Sequence, residues 1–142
     1  MTGEFAIAVH ALTFLDRHEG AISSAKLAEN VCTNPARVRK VMSKLKKAGL
    51  VIAEQRNDGG YRPAREARGV TLAEIASALD ESMIGPVWRS GDVDMDCEVA
   101  SGMADVMDSI RERLNGECER ILAAITLADV GEMLDKRAAG QG

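Results

Sequence analysis

Cys32-Thr33-Asn34-Pro35-Ala36-Arg37-Val38-Arg39-Lys40-Val41-Met42-Ser43-Lys44-Leu45-Lys46-Lys47-Ala48-Gly49-Leu50-Val51 is the stretch that decides how this chain folds. Asn34 is a residue type that caps helix N-termini. Pro35 suits the first helical position, where its missing N–H would go unpaired anyway. Val38, Val41, Met42 and Leu45 recur at helical spacing and form one apolar face, while Arg37, Lys40, Lys44 and Lys47 lie mostly on the other side. Gly49 is the expected stop, and Leu50-Val51-Ile52 begins a strand. The spacing therefore predicts a helix from Pro35 to about Ala48, apolar on one side and basic on the other.

Upstream, Phe5, Val9, Leu12 and Leu15 follow helical spacing, and Ile7, Ala8, Ala11 and Phe14 widen the stripe into a buried helix. Gly20 ends the connection. Ser23 or Ser24 can cap a short helix carrying Leu27, Ala28 and Val31. Downstream, Asn57-Asp58-Gly59-Gly60 reads as a turn of residues that tolerate positive φ, and Tyr61 starts a return strand ended by Pro63. Two helices, a capped basic helix and a basic hairpin, in that order, are a winged helix-turn-helix.

Thr71-Leu72-Ala73-Glu74 has the capping-box pattern and opens a helix through Leu79. Residues 82–98 are irregular and acidic. Beyond them Val99, Met103, Val106, Ile110, Leu114, Cys118, Ile121 and Ile125 step by threes and fours. A stripe that long exceeds what so small a domain can cover, so it reads as a helix–helix seam between two copies of the chain, with Gly116 as a point where it can kink or split. Thr126 can cap a last short helix, Leu127 to Leu134. The expected organisation is a mainly α fold with a small β-hairpin wing: a winged helix-turn-helix over 1–81, a sensor loop over 82–98, a dimerisation helix plus short helix over 99–135, and a disordered tail over 136–142.

Composition narrows the function. The chain has 142 residues, 46% hydrophobic and 28% charged, with only 3% aromatic, so Leu, Ile, Val, Met and Ala must build the core. No run is long and apolar enough for a membrane span, and Met1-Thr2-Gly3-Glu4 is no secretory leader; a cytoplasmic protein without a membrane partner is expected. Two histidines, no glycine-rich phosphate loop and no CxxC leave little from which to build a catalytic site, so no enzyme is expected. The three cysteines, Cys32, Cys97 and Cys118, are too few and too scattered for a disulfide scaffold or a four-cysteine zinc site.

Charge is unevenly placed. The whole chain carries −4, yet residues 33–68 carry ten basic side chains against three acidic ones. A basic centre in an acidic protein is the footprint of a confined phosphate-binding surface, and double-stranded DNA is the expected partner. The helix after the turn enters the major groove, which nominates Thr33, Asn34, Arg37, Arg39 and Lys40. Arg37 or Arg39 can reach guanine, and Arg39 can instead turn toward helix neighbours; Asn34 can meet adenine or a phosphate. Lys44 and Lys47 suit phosphates. Arg56 and Arg62 flank the hairpin tip and suit the minor groove or backbone.

Five short blocks bring a resemblance into view: Phe5-Ala6-Ile7-Ala8-Val9-His10, Lys44-Leu45-Lys46-Lys47-Ala48-Gly49-Leu50-Val51, Gly59-Gly60-Tyr61, Val70-Thr71-Leu72-Ala73-Glu74-Ile75 and Ile125-Thr126-Leu127-Ala128-Asp129-Val130. Their content and order resemble the Rrf-two family of bacterial winged-helix transcriptional regulators. The resemblance implies a homodimeric DNA-binding transcription factor, here read as a repressor, whose long helix forms the dimer and whose preceding loop senses a signal. Cluster-binding members carry three cysteines in that loop. This chain has Cys97 alone, and with Cys32-Thr33-Asn34-Pro35 it looks closest to the branch without an iron–sulfur cluster.

No cofactor is therefore expected, and redox sensing falls to Cys32 and Cys97. Cys32 directly precedes the basic helix, and Cys97 opens the long one, where Asp94, Asp96 and Glu98 oppose the helix dipole. A bond between Cys32 of one chain and Cys97 of the other is one expectation; two ordinary small hydrophobic cysteines are the other. Cys118, on the apolar stripe, reads as core. The alternatives are an iron–sulfur cluster on Cys97 with His10, Cys118 or a carboxylate from either chain, a small ligand in the loop with Trp88 and Met83 as plugs or a lid, and a winged-helix interaction module that binds no DNA.

Overall fold

The computed structural model describes residues 1–55 and 59–141. In chain order these form α1 (Gly3–Asp16), α2 (Ser24–Val31), α3 (Pro35–Lys47), β1 (Val51–Glu54), β2 (Gly60–Pro63), α4 (Leu72–Ala78), α5 (Glu98–Ala123) and α6 (Leu127–Gly140), with one 3-10 turn at Ala67–Gly69. The architecture is the expected one: mainly helical, with a small antiparallel hairpin.

Every α-helix except α5, which opens at Cys97 without a side-chain cap bond, starts where its sequence supplies a cap. Thr2 caps α1, Ser23 caps α2 and Asn34 caps α3, each accepting a hydrogen bond from the amide three residues on. Thr71 with Glu74, and Thr126 with Asp129, form complete capping boxes. The two boxes sit side by side. The Leu72 amide donates to the Ile125 carbonyl at 2.9 Å and the Leu127 amide to the Val70 carbonyl at 3.0 Å, so α4 and α6 spring from one antiparallel bridge. Each cap satisfies donors that would otherwise stay orphaned at a helix start.

The core fills the space between α1, α2, α3, α4 and the base of the hairpin. Leu27, Val38, Val41, Met42, Leu45 and Ile75 are fully buried there. Side chains of this kind contribute roughly 1.5–3 kcal/mol each on full burial. The helix α6 packs back on α1 and adds Leu127 and Val130 to the same core; Arg17 fastens it by donating to the Gly131 carbonyl at 2.7 Å and pairing with Asp135 at 2.9 Å.

Three sequence expectations are corrected. Gly116 does not split the long helix, which runs unbroken for 26 residues. The last helix continues past Leu134 to Gly140, so residues 136–140, expected as a disordered tail, are helical; Lys136, Arg137, Ala138 and Ala139 are good helix formers, and the basic pair suits a C-terminal dipole. Gly59 and Gly60 do not adopt positive φ. They are needed for clearance: a Cβ on Gly60 would lie 2.4 Å from the Ile22 carbonyl oxygen, because Ile22 and Tyr61 exchange backbone hydrogen bonds that add Ile22 to the sheet. Asn57 and Asp58, which complete the expected turn, lie outside the described residues.

The helix α5 stands apart. Of its 26 residues only Leu122 is buried. Val99, Met103, Val106, Ile110, Leu114 and Ile121 are all exposed, and Cys118, expected as core, is half-exposed. The helix spans about 39 Å at ~1.5 Å per residue, and within the chain it packs chiefly against α4.

Candidate nucleic-acid interface

The connection from α2 to α3 sets the angle of the basic helix. Cys32 closes α2 in the left-handed conformation (φ 64°, ψ 50°), and the Thr33 amide donates back to the Ala28 carbonyl at 3.0 Å. Asn34 Oδ1 then accepts from the Arg37 amide at 2.8 Å. Asn34 thus spends its side-chain oxygen as the cap, and its amide nitrogen remains for a base or phosphate. The Cys32 thiol is exposed but faces the Glu29 carbonyl at 3.7 Å, at the carbonyl end of α2. Cys32 directly precedes α3, but the left-handed turn directs its thiol toward α2.

Burial of Val38, Val41, Met42 and Leu45 fixes which face of α3 points outward. At 3.6 residues per turn, Ala36, Lys40, Ser43 and Lys47 centre the opposite face. Arg37 and Lys44 lie on the flank toward α1, Arg39 and Lys46 on the flank away from it. Arg37, Arg39 and Lys40 are exposed, Thr33 and Lys44 half-buried.

The basic residues differ in how far the chain already neutralises them. Lys40 and Lys44 both pair with Glu4 of α1, at 3.1 and 2.9 Å. These two ammonium groups hold the Glu4 carboxyl below the usual carboxylate range. On the hairpin Arg62 pairs with Glu54 across the strands, while Arg65 pairs with Glu74 and Arg68 with Glu66. Arg37, Arg39, Lys46 and Lys47 make no ion pair with a described residue. The structure thus gathers Thr33, Asn34, Arg37, Arg39, Lys40 and Lys44 on one helix and turn, with Arg62 on the adjacent hairpin; Arg56 lies outside the described residues. Glu4 was not legible as part of this surface, since nothing in sequence spacing joins position 4 to positions 40 and 44.

The irregular segment before α5 is held to that helix at three points. Asn115 accepts from the Ile84 amide and donates to its carbonyl, both at 2.9 Å. Arg89 reaches Asp105 at 2.9 Å and also Asp108. Gly91, at φ +72°, passes so close to Ala100 that a Cβ would lie 2.0 Å from its carbonyl oxygen. Met83 packs on the core as a plug can, but Trp88 is 87% exposed. Cys97 is exposed at the N-cap of α5. The Ala100 and Val99 amides at the helix start lower its thiol pKa.

The described residues contain no group of three or more His, Cys, Asp or Glu side chains arranged to hold a metal. Cys97 at the N-cap of α5 and Cys118 within it lie about 21 residues apart along the same unbroken helix, roughly 30 Å at ~1.5 Å per residue. His10 is exposed and hydrogen-bonded to Asn30 at 2.7 Å. Clusters are held mainly by thiolates, so the donor set of one chain does not fit an iron–sulfur cluster. Among the described residues, no helix is long and apolar enough to cross a membrane.

A sequence model of the Rrf2 family, described as iron-dependent transcriptional regulators, matches residues 1–133. The chain is 31% identical over 81 residues to the HTH-type transcriptional regulator IscR of Xenorhabdus nematophila, a match covering 57% of this chain and 49% of that protein. The chain therefore spans about half the length of the curated relatives it matches. Among solved structures, T. potens IscR aligns with all of this chain and 90% of its own at TM-score 0.70 and 26% identity. The CymR global cysteine regulator of B. subtilis aligns over 94% of this chain and 96% of its own at TM-score 0.65 and 24% identity, a likeness of fold. Matched along nearly its whole length, with the helix-turn-helix, hairpin and long helix in order, this chain belongs to the Rrf2 family of transcriptional regulators.

Proposed function

We propose that the protein is a homodimeric DNA-binding repressor. It would hold operator DNA with α3 in the major groove and the hairpin against the neighbouring backbone or minor groove. Thr33, Arg37 and Arg39 are the base-facing candidates, with the Asn34 amide. Lys40, Lys44, Arg56 and Arg62 serve phosphates. The observation that carries the reading is the pairing of an exposed basic α3 with an uncovered apolar face on α5. A seam of two α5 helices covers that face and sets two α3 helices against a dyad-symmetric site. Membership in a regulator family supports the same reading. A cytoplasmic location follows from the role.

Sensing is assigned to the segment pinned on α5, with Cys97 as the reactive thiol. Its lowered pKa and exposure favour thiolate chemistry. Cys32 of the opposite chain is its proposed disulfide partner. The family description "iron-dependent" favours a second reading, a cluster-responsive regulator, against which the donor set of one chain counts.

Fluorescence anisotropy on the DNA upstream of the protein's own gene, and on a random duplex, tests the reading. Reduced protein should bind the upstream duplex more tightly than the random one, with log affinity falling against log salt at a slope of roughly −5 if about six phosphates are neutralised. Mild thiol oxidation should change that affinity, and Cys97→Ser should abolish the change. No affinity for any duplex at low salt would leave the interaction-module reading standing instead.

A further inference from the structure

The first turn of α1 is wedged between the basic helix and the start of the irregular segment. On one side Glu4, with 23% of its side chain exposed, bridges Lys40 and Lys44, which are one turn apart on α3. Beside it, Arg37 lies so close over Gly3 that a Cβ there would come within 2.5 Å of the guanidinium. On the other side the Thr2 amide and hydroxyl both donate to the Glu81 carboxylate, the hydroxyl at 2.6 Å, and the Met1 amino group donates to the Met83 carbonyl. The backbone of this turn is thus anchored to the segment at Glu81–Met83, and the Glu4 side chain is held by its ion pairs to Lys40 and Lys44.

Phosphates need the same ammonium groups. Lys40 centres the outward face of α3, and Lys44 flanks it. A carboxylate between them cancels one of the two charges and repels an approaching phosphate. We propose that Glu4 is a positioning residue of the DNA interface: it holds Lys40 and Lys44 against α1 and so keeps sequence-independent affinity low, leaving discrimination to the base-facing residues. This rests on the DNA-binding reading above. Through Thr2 and Glu81 the restraint continues to the start of the segment assigned to sensing.

The test compares the full-length wild type with Glu4→Gln on a random-sequence duplex over a salt series. The variant should bind about fivefold more tightly at low salt, with the slope of log affinity steeper by roughly two per dimer, one phosphate gained per head. A purely structural role for Glu4 would not steepen that slope. In a Lys40→Gln, Lys44→Gln background the gain should disappear. Should Glu4→Gln fail to melt cooperatively, Glu4→Asp, which keeps the charge but shortens the reach, should give a smaller gain of the same sign. Equal or weaker binding by the Glu4 variants overturns the proposal while leaving the DNA reading intact, and so does a gain that persists without the two lysines. If neither wild type nor variant binds any duplex, the DNA reading itself fails and the proposal with it.

Discussion

The helices α3 and α5 are both amphipathic, but the chain treats their apolar faces in opposite ways. On α3, Val38, Val41, Met42 and Leu45 are all fully buried. On α5 the corresponding stripe lies open from Val99 to Ile121, with only Leu122 buried. The first helix is complete within one chain and presents its polar face outward. The second leaves its apolar face uncovered by the described residues of its own chain, the face that the proposed dimer would cover. An exposed stripe about 33 Å long, carried on one unbroken helix, is more apolar surface than a monomer ordinarily leaves in water.

Substitutions on the two stripes should therefore have different readouts. Leu45→Ala on α3 should cost 2–5 kcal/mol of folding stability, seen as a drop in denaturant midpoint at unchanged slope, in about the range of other fully buried leucines. On α5, Ile110→Asp should leave the melting of the helix-turn-helix close to wild type. It should weaken self-association by at least about a hundredfold, roughly 2.7 kcal/mol, in sedimentation equilibrium. If Ile110→Asp instead unfolds the chain, α5 is a core helix and the contrast between the two stripes is lost.

Smaller effects should come from the paired capping boxes that join the two halves. Thr71→Ala removes the side-chain acceptor for the Glu74 amide and should cost about 1 kcal/mol by thermal melt. Acid should reach the same place. The Glu74 carboxyl sits below its usual range, first because it accepts from the Thr71 amide and then because Arg65 faces it. A carboxylate with a lowered folded pKa adds stability above its unfolded pKa and loses it as pH falls through the folded value. Melting temperature should therefore fall below about pH 4.5, near the unfolded pKa of a glutamate, with Glu4 contributing in the same direction, and Glu74→Gln should flatten that acid limb.

The sequence carried the local part of this fold well. Asn34, Ser23, Thr71 and Thr126 cap helices because capping depends on neighbours three residues away, and the stripes of α1 and α3 are visible in their spacing. What it hid was contact between distant segments. The Ile22 carbonyl explains Gly60 better than any turn type does. The Glu4 bridge to Lys40 and Lys44 needs α1 and α3 packed before it exists. Cys32 showed its place but not its direction, because a single left-handed residue turned its thiol toward α2. Of the nominated DNA residues, the spacing put Arg37 on the outer side of α3 but left Arg39 open, and it could not tell these two exposed cations from Lys40, Lys44 and Arg62, whose charges are already partnered.

Sedimentation velocity of wild type and Ile110→Asp, each alone and with a dyad-symmetric duplex, tests most directly whether the open face of α5 is a dimer seam that serves DNA binding. The wild type should sediment as a dimer and load two chains per duplex, while Ile110→Asp should sediment as a monomer and release the duplex at matched salt. A wild type that stays monomeric at every concentration, with or without DNA, would contradict the account.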